Sequence, residues 1–265
     1  MVHLIDWVAE SKAVGSGVTL LKQIAREVDA VLVVGGSELT QKVLPALGAR
    51  SCGTLTKFVR PLRPLQRVRG EKPGLRLIAQ FARSVIWSLK SAGTPASGWA
   101  AHAITPGDPA LDAVHGPSVT GDAAVFERTA DSIQYLLKCP AARMEIYSVS
   151  KDGVNRGYFI LAHVPGQVRI ADFYVDTDDA ASWRAVIQLA ISQAHRNPAA
   201  AEVAAVGSDP VTRRALSECG FHVRGEAPMR LLSVTGAVLP EGPIRVQMID
   251  SDAAYLHANK NVYWA

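Results

Sequence analysis

The chain has 265 residues, of which 48% are hydrophobic and 20% charged, and its formal net charge is +4 at pH 7. The hydrophobic fraction is enough to build a core, and the ordinary charged fraction excludes a wholly disordered chain. The length fits one large domain or two small ones. Acidic residues interrupt the apolar N-terminus, unlike a signal peptide, and no apolar run reaches the roughly 18 residues that span a membrane. We therefore expect no membrane partner.

Cysteine and charge patterns exclude further classes. The three cysteines are far apart in sequence: Cys52, Cys139 and Cys219. Their number and spacing fit neither a disulfide framework nor a zinc site, so we predict no metal and a reducing, cytoplasmic location. Basic residues concentrate between Lys57 and Arg76, but prolines interrupt this run and Phe58 is its single aromatic side chain. The run is therefore a poor pattern for nucleic-acid binding.

The first part of the chain alternates short apolar runs with amphipathic segments. The predicted elements are strands at 2–8, 30–34 and 51–62 and helices at 18–27 and 35–48. Ser37 is the expected N-cap of the second helix, and Gly48 is its expected C-terminal stop. The order strand–helix–strand–helix–strand favours an α/β fold.

The chain changes character after the basic run. Residues 75–90 have the period of an amphipathic helix, whose expected buried stripe is Leu77, Ile78, Phe81, Val85 and Leu89. Residues 92–121 are rich in Gly, Pro, Ala and Ser and are expected to be a linker. This linker would separate a first unit, residues 1–91, from a second, residues 122–265.

The second unit again mixes strands and helices. Its predicted elements are a helix at 122–138, strands at 143–150, 157–164 and 168–176, a helix at 180–196, a strand at 203–206, a helix at 209–221 and two final strands. Asp152 and Gly153 indicate a hairpin turn between the first two strands. Asp209 and Pro210 open the last helix, and Gly220 closes it.

The most informative segment is DWVAESKAVGSGVTLLKQI, residues 6–24. It is typical of the end of a strand, a turn with Gly15 and Gly17, and then a helix. Unpaired amides at the N-terminus of a helix form an anion site that the helix dipole strengthens, so the segment indicates a phosphorylated ligand. A purely structural turn is the alternative. A Rossmann turn is disfavoured because the third glycine and the acidic residue after the second strand are absent.

Two parts of the chain share their order of elements. The segment from Asp6 to Arg50 and the segment from Asp172 to Phe221 each contain a strand, a turn, a helix, an apolar strand and a short helix. Ser37 corresponds to Ser208, and Gly48 corresponds to Gly220. Because the end-markers of the short helices match as well as the order, we interpret the two segments as a duplication.

These segments resemble the GNAT superfamily of acetyl-CoA-dependent acyltransferases. The turn of that family reads Arg/Gln-x-x-Gly-x-Gly/Ala, and Lys12, Gly15 and Gly17 stand at its positions here. The resemblance covers residues 1–62 and 122–250. It implies an α/β fold of two GNAT-like mixed-sheet units, the first of them partial, and we expect a truncated chain or a misplaced start codon.

The resemblance implies acetyl-CoA or another acyl-CoA as cosubstrate and a small-molecule amine as acceptor, and a homodimer is compatible with it. The pyrophosphate would bind the turn, and the pantetheine would lie between the strands at 2–8 and 30–34. The expected coenzyme-binding residues are Trp7, Lys12, Val14, Gly15, Ser16, Gly17 and Val18. The candidate catalytic residues are Glu10, as a general base beside the turn, and Asp172 and Tyr174 on a strand of the second unit.

The sequence also departs from the family pattern. Leu44 and Leu216 stand where the family has its usual tyrosine. The second unit has no glycine turn, and its loop carries Asp176, Asp178 and Asp179, which would repel a pyrophosphate. We therefore expect coenzyme binding in the first unit alone. A non-catalytic GNAT-like binding or assembly module is the alternative function.

Overall fold

The computed structural model describes residues 1–4, 15–69, 74–111, 124–177, 179–233, 236 and 241–255. The chain divides into two compact units. Unit 1 comprises residues 1–55, 122–126 and 226–245, and unit 2 comprises residues 56–121, 127–225 and 246–265. The division at residues 91 and 122 that the sequence suggested stays a prediction. Two strands, β3 (Arg50–Pro61) and β10 (His222–Leu232), each contribute residues to both units.

Unit 1 is built around two short parallel strands, β1 (Val2–Leu4) and β2 (Val31–Val34). The other edge of β2 pairs with β10 in antiparallel register, from Val34 opposite Met229 to Val31 opposite Leu232. This pairing gives unit 1 a mixed sheet. Its helices are α1 (Ser16–Glu27) and α2 (Glu38–Ala46). Their order with the strands confirms the predicted alternation.

The caps of α2 also confirm the sequence prediction. The Ser37 side chain accepts a hydrogen bond from the Thr40 amide at 3.2 Å, as expected of an N-cap. After the helix, Gly48 has a φ of 88°. Its amide donates to the Pro45 carbonyl at 2.9 Å. The left-handed glycine therefore closes the helix and turns the chain into β3.

Unit 2 contains a larger mixed sheet. Its strands are the part of β3 from Thr56 onward, β4 (Trp99–Ile104), β6 (Arg143–Lys151), β7 (Val154–Val164), β8 (Gln167–Val175) and β9 (Glu202–Gly207). Their order is β3-β9-β8-β7-β6-β4. Every neighbouring pair is antiparallel except β8 and β9, which are parallel. The strand β4 lies within the segment expected to be a linker. Unit 1 has one further strand pair, β5 (Ala124–Val125) with β11 (Ile244–Arg245).

Helices cover the sheet of unit 2. They are α3 (Pro64–Val68), α4 (Leu75–Ser88), α5 (Ala130–Leu137), α6 (Ala180–Ala194) and α7 (Pro210–Glu218), with 3₁₀ turns at Met248–Asp250 and Asp252–Ala254. The main core forms where α6 packs on β7 and β8, and Trp183 is its largest buried side chain. No helix in the described part of the chain is long and apolar enough to cross a membrane.

Two arginines of the basic run serve the fold of unit 2. Arg60 is buried, and its Nη1 donates to the carbonyl oxygen of Lys90 at 2.7 Å and to that of Cys219 at 3.2 Å, just after α4 and α7. Arg63 donates to the carbonyl oxygens of three residues that follow α6: His195, Asn197 and Ala200. Carbonyl groups at helix C-termini carry partial negative charge, so both side chains stabilise helix ends.

The buried stripe expected on α4 is wrong at two positions. Leu77, Phe81 and Val85 are half-buried, but Ile78 and Leu89 are exposed. The periodicity correctly predicts a helix here. It identifies the packed face only in part, because the residue of α4 that is fully buried is Ser84, which lies outside the predicted stripe.

Candidate functional site

The N-terminus of α1 has no side-chain cap. Gly15 precedes the helix with a φ of 86°, which glycine adopts without strain, and the first turn contains no acidic residue. A Cβ at Gly15 would have no heavy atom within 4 Å. The first amides of a helix lack partners within the helix and lie at the positive end of its dipole. This turn could therefore hold an anion such as a phosphate.

Four of the predicted coenzyme-binding residues lie in this turn. Gly15 and Ser16 are exposed, Gly17 is buried, and Val18 is half-buried. The other predicted coenzyme contacts, Trp7, Lys12 and Val14, lie outside the described residues. The proposed base Glu10 lies outside them too.

The corresponding helix of unit 2, α6, begins differently. Asp179 caps it, and Oδ2 accepts hydrogen bonds from the Ser182 amide at 3.0 Å and the Ser182 hydroxyl at 2.9 Å. These hydrogen bonds lower the pKa of the Asp179 carboxyl. Asp176, in the same loop, pairs with Arg156 at 3.0 Å. A carboxylate of the chain itself therefore occupies the positive end of the α6 dipole.

The strands β8 and β9 separate along their length. They pair in parallel only where Gln167–Arg169 lies beside Glu202–Ala204. The ladder between β7 and β8 shifts register between Ile160 and Leu161, which is the mark of a bulge in β8. Beyond the paired residues each strand continues, so a gap opens between them towards their carboxyl ends.

A later part of the chain lies against both strands at this gap. We call residues 246–254 the closing segment. The Val246 amide donates to Ser208 Oγ, just after β9, at 2.7 Å. Gln247 Nε2 donates to the Phe173 carbonyl of β8 at 3.4 Å. Val246, Gln247, Met248 and Ile249 are all buried.

A buried ionic network fastens the closing segment to β8. Arg128 Nε donates to Asp172 Oδ2 at 2.6 Å, and Arg128 Nη2 donates to Asp250 Oδ1 at 2.5 Å. The Tyr158 hydroxyl donates to Asp172 Oδ2 at 2.8 Å. Asp250 Oδ2 also accepts a hydrogen bond from the Gln247 amide at 2.8 Å.

Two carboxylates share one guanidinium in this network, and the pKa values of Arg128 and Asp250 reflect it. Burial lowers the pKa of Arg128, but the attraction of Asp172 and Asp250 outweighs burial and raises that pKa above its ordinary value. Burial raises the pKa of Asp250 to about 6, because Arg128 offsets only part of the desolvation and Asp172 repels the charge. Burial also raises the pKa of Tyr158, and Asp172 adds to this.

The environments of two candidate catalytic residues, Asp172 and Tyr174, are defined by the structure. Asp172 is 2% exposed and accepts from three donors, the side chains of Arg128 and Tyr158 and the Phe173 amide. These contacts suit a group that holds the fold together better than a base that reaches a substrate. Tyr174 is half-buried, and its ring lies edge-on to that of Trp183 at 6.2 Å. Both residues belong to unit 2, whereas the glycine turn belongs to unit 1.

Sequence reasoning missed Arg128, Tyr158 and Asp250. A signal was present, because Asp172 is the one acidic residue inside the apolar strand sequence VRIADFYV. A carboxylate buried at such a position needs a cation or hydrogen-bond donors. No group of three or more His, Cys, Asp or Glu that could hold a metal ion occurs among the residues with described positions.

The chain resembles acyltransferases of known structure. It is similar to a GCN5-related N-acetyltransferase from Anabaena variabilis, with a TM-score of 0.55 and 12% identity over 83% of this chain and 51% of that one. The chain adopts the GNAT fold. A probable N-acyltransferase from Enterococcus faecalis gives a TM-score of 0.51 and 12% identity, over 84% of this chain and 51% of that one.

The chain is also similar to a third solved structure. Saccharomyces cerevisiae N-myristoyltransferase gives a TM-score of 0.54 and 15% identity, over 85% of this chain and 57% of that one. The chain spans about half the length of these structures. No protein-family model matches the chain, and neither does any curated protein sequence.

Proposed function

We propose that this protein is an N-acyltransferase that binds acetyl-CoA or another acyl-CoA through unit 1 and transfers the acyl group to a small-molecule amine. The GNAT fold supports the reaction class. The observation that carries the proposal is the contrast between two helix N-termini. The turn before α1 has a left-handed Gly15 and no side-chain cap, whereas Asp179 caps α6.

In this proposal the coenzyme pyrophosphate binds the amides of Gly15, Ser16, Gly17 and Val18. Lys12 adds a positive charge beside them, and Trp7 and Val14 flank the pantetheine. The dipole of α1 and its unpaired amides favour two negative phosphoryl groups at this position. The strands β1 and β2 are paired from Val2 opposite Val31 to Leu4 opposite Val33. The pantetheine that the resemblance to the family implies would therefore lie beyond these paired residues.

Catalysis would come mainly from holding the amine against the thioester carbonyl, with backbone amides polarising that carbonyl. Glu10 is the proposed base, acting on the amine directly or through water. For Asp172 the proposed role becomes that of a positioning residue, because Arg128 and Tyr158 already bind its carboxylate. Tyr174 is proposed to line the acceptor side of β8.

Unit 2 would bind no coenzyme in this scheme. By analogy with unit 1, a pantetheine in unit 2 would lie between β8 and β9, where the closing segment contacts both strands. The same observation favours a second candidate function, a non-catalytic GNAT-like binding or assembly module. In that case the protein would hold a coenzyme, or a partner, without turnover.

Calorimetric titration with acetyl-CoA and desulfo-CoA tests the proposal. Two variants separate charge from backbone strain: Gly15→Asp and Gly15→Asn share the same φ and nearly the same volume, and both asparagine and aspartate tolerate this conformation. We expect Gly15→Asp to weaken binding at least about tenfold, because its carboxylate repels the pyrophosphate, and Gly15→Asn to weaken it far less.

Absence of binding by the wild-type chain at high micromolar acetyl-CoA would refute the proposal. Equal binding by wild type and Gly15→Asp would show that the ligand lies elsewhere. Binding without release of free CoA in the presence of a panel of amines would favour the non-catalytic alternative.

A further inference from the structure

Helix α4 turns an apolar face to solvent. Leu75 is 87% exposed, Ile78 62%, Ile86 65%, and Leu89, the C-cap residue, 78%. Their spacing places them along one side of the helix. A soluble monomer rarely exposes such a row of large aliphatic side chains, and contiguous apolar patches of this kind mark interaction sites.

The opposite side of α4 is fixed to unit 2 by specific contacts. Ser84 is buried and receives a hydrogen bond from Arg67 Nη1 at 3.2 Å. The Trp87 ring stacks on the His222 ring, with the centroids 4.3 Å apart and the planes 7° from parallel. These contacts fix the orientation of the helix about its own axis. The apolar row therefore faces solvent and not the core of unit 2.

The charges beside the row have one sign. Arg76, Arg83 and Lys90 are seven residues apart, so they form a second row along one border of the apolar side. Residues 74–90 include no acidic side chain. Arg76 and Lys90 are exposed, and Arg83 lies over the Trp87 ring at 5.3 Å. An apolar row bordered by cations is complementary to a surface that offers hydrocarbon and negative charge together.

The sequence predicted no membrane partner, but we propose that α4 is an interfacial helix that lies flat on an anionic lipid surface. Leu75, Ile78, Ile86 and Leu89 would enter the boundary between headgroups and acyl chains. Arg76 would meet lipid phosphates or carboxylates. Arg83 and Lys90 contribute less, because Arg83 lies over the Trp87 ring and Lys90 Nζ donates to the Ser217 carbonyl at 2.8 Å. With 14 residues the helix is too short to span a bilayer but long enough to lie in its plane.

A second copy of the chain fits this face less well than a lipid surface does. Two α4 helices packed through their apolar rows would bring two basic rows together, and neither helix carries an acidic side chain to offset them. Like charges at such a contact oppose association. An anionic bilayer supplies the missing negative charge.

Co-sedimentation with phosphatidylcholine vesicles, with and without phosphatidylserine, tests the proposal. We expect binding to the vesicles that contain phosphatidylserine and loss of binding as NaCl rises. Ile78→Glu and Ile86→Glu should each lower the partition coefficient at least about tenfold, because each puts a negative charge into the apolar row. Arg76→Gln should lower it about fivefold.

Leu39→Glu is the matched control, since Leu39 is 70% exposed and belongs to α2, not to the apolar row of α4. It should bind vesicles like the wild type. All of these side chains are exposed, so the variants should keep the wild-type circular dichroism spectrum and acyl-CoA binding.

Three results would overturn the proposal. They are equal binding to vesicles with and without phosphatidylserine, no binding to either, and an equal loss in Leu39→Glu and Ile86→Glu. A concentration-dependent dimer in sedimentation equilibrium that Ile86→Glu abolishes would instead assign the face to a second copy.

Discussion

Arg128 joins Asp172 through a hydrogen bond of 2.6 Å between Nε and Oδ2, in a part of unit 2 where both side chains are almost completely buried. The same guanidinium reaches Asp250 in the closing segment. Arg128 therefore connects strand β8, the chain ahead of α5 and the segment that lies over the gap between β8 and β9. The stability of unit 2 should depend on this one side chain more than on any ion pair at its surface.

Replacing Arg128 by methionine should lower the free energy of unfolding by about 3–5 kcal/mol, because two buried carboxylates lose their cation. Urea denaturation followed by circular dichroism measures this. Arg184→Met is the matched control, since Arg184 pairs with Glu218 at 2.6 Å where both side chains are about a third exposed. That variant should lose no more than about 1 kcal/mol. Equal losses in the two variants would contradict the argument.

Asp250 should make stability depend on pH. Burial raises its pKa from 3.8 to about 6 in the folded protein. The folded state then binds more protons than the unfolded state between these values, so the Asp250 contribution to stability is lost as pH rises through about 6. The free energy of unfolding of the wild type minus that of Asp250→Asn should therefore be larger at pH 5 than at pH 7.

This comparison cancels the other titrating groups. The pKa values of His163, His195 and His222 are lowered by burial, and all three are present in both proteins. A difference that does not change with pH, or that changes in the opposite direction, would show that burial does not raise the pKa of the Asp250 carboxyl.

Two glycines that close helices should differ in their tolerance of a side chain. Gly48 and Gly220 have φ values of 88° and 80°. A Cβ at Gly48 meets nothing within 4 Å, whereas a Cβ at Gly220 would clash with Arg60 Nη1. Gly48→Ala should cost about 1–2 kcal/mol from the left-handed conformation alone.

Gly220→Ala should cost about 2–3 kcal/mol more, because the buried Arg60 guanidinium must leave its carbonyl partners. Chemical denaturation of both variants measures the difference. If the two alanines cost the same, the Arg60 guanidinium can move without loss, and its role at the helix ends is smaller than its contacts imply.

One coenzyme per chain is the expected stoichiometry if the proposed function is right. Asp179→Ala should lower stability by about 1 kcal/mol, since α6 loses its N-cap, yet leave acyl-CoA affinity unchanged. Calorimetry gives both the stoichiometry and the affinity. Two equivalent sites, or a loss of affinity in Asp179→Ala, would place a coenzyme in unit 2 and reverse the assignment.

The sequence predicted the local structure well because local signals determine it. Ser37 precedes α2 as its N-cap and Gly48 follows its end, as expected. The Asp209 side chain caps α7 by accepting hydrogen bonds from the Val211 and Thr212 amides. Hydrophobic period gave α1, α4, α6 and most strands, but α3 was not predicted, and the helix expected at 122–138 begins only at Ala130. These features depend on residues a few positions apart, which a single sequence displays directly.

Pairings between residues that are distant in the sequence could not be predicted from such local signals. Strand β4 was expected to be linker, since its sequence WAAHAI lies in a region rich in Gly, Pro, Ala and Ser and gains its partner from β6. The exposed side of α4 was misjudged because apolar period alone does not distinguish a core from a docking surface.

The same distinction between local and long-range signals applies to the candidate site. The glycine turn could be predicted from the sequence because it depends on two nearby residues, Gly15 and Gly17. Its described residues lie at the start of α1. The network around Asp172 was not, since Arg128, Tyr158 and Asp250 come from three distant parts of the chain. The prediction that Glu10 acts as the base stays untested by the described residues.

The pairing of β2 with β10 also bears on how the protein is made. Val31 emerges from the ribosome long before its partner Leu232, because most of unit 2 lies between them in the sequence. Until then β2 has an open edge that another nascent chain could pair with. During translation, unit 1, which begins the chain, would therefore be completed late, and its early strands would be where chaperones are needed.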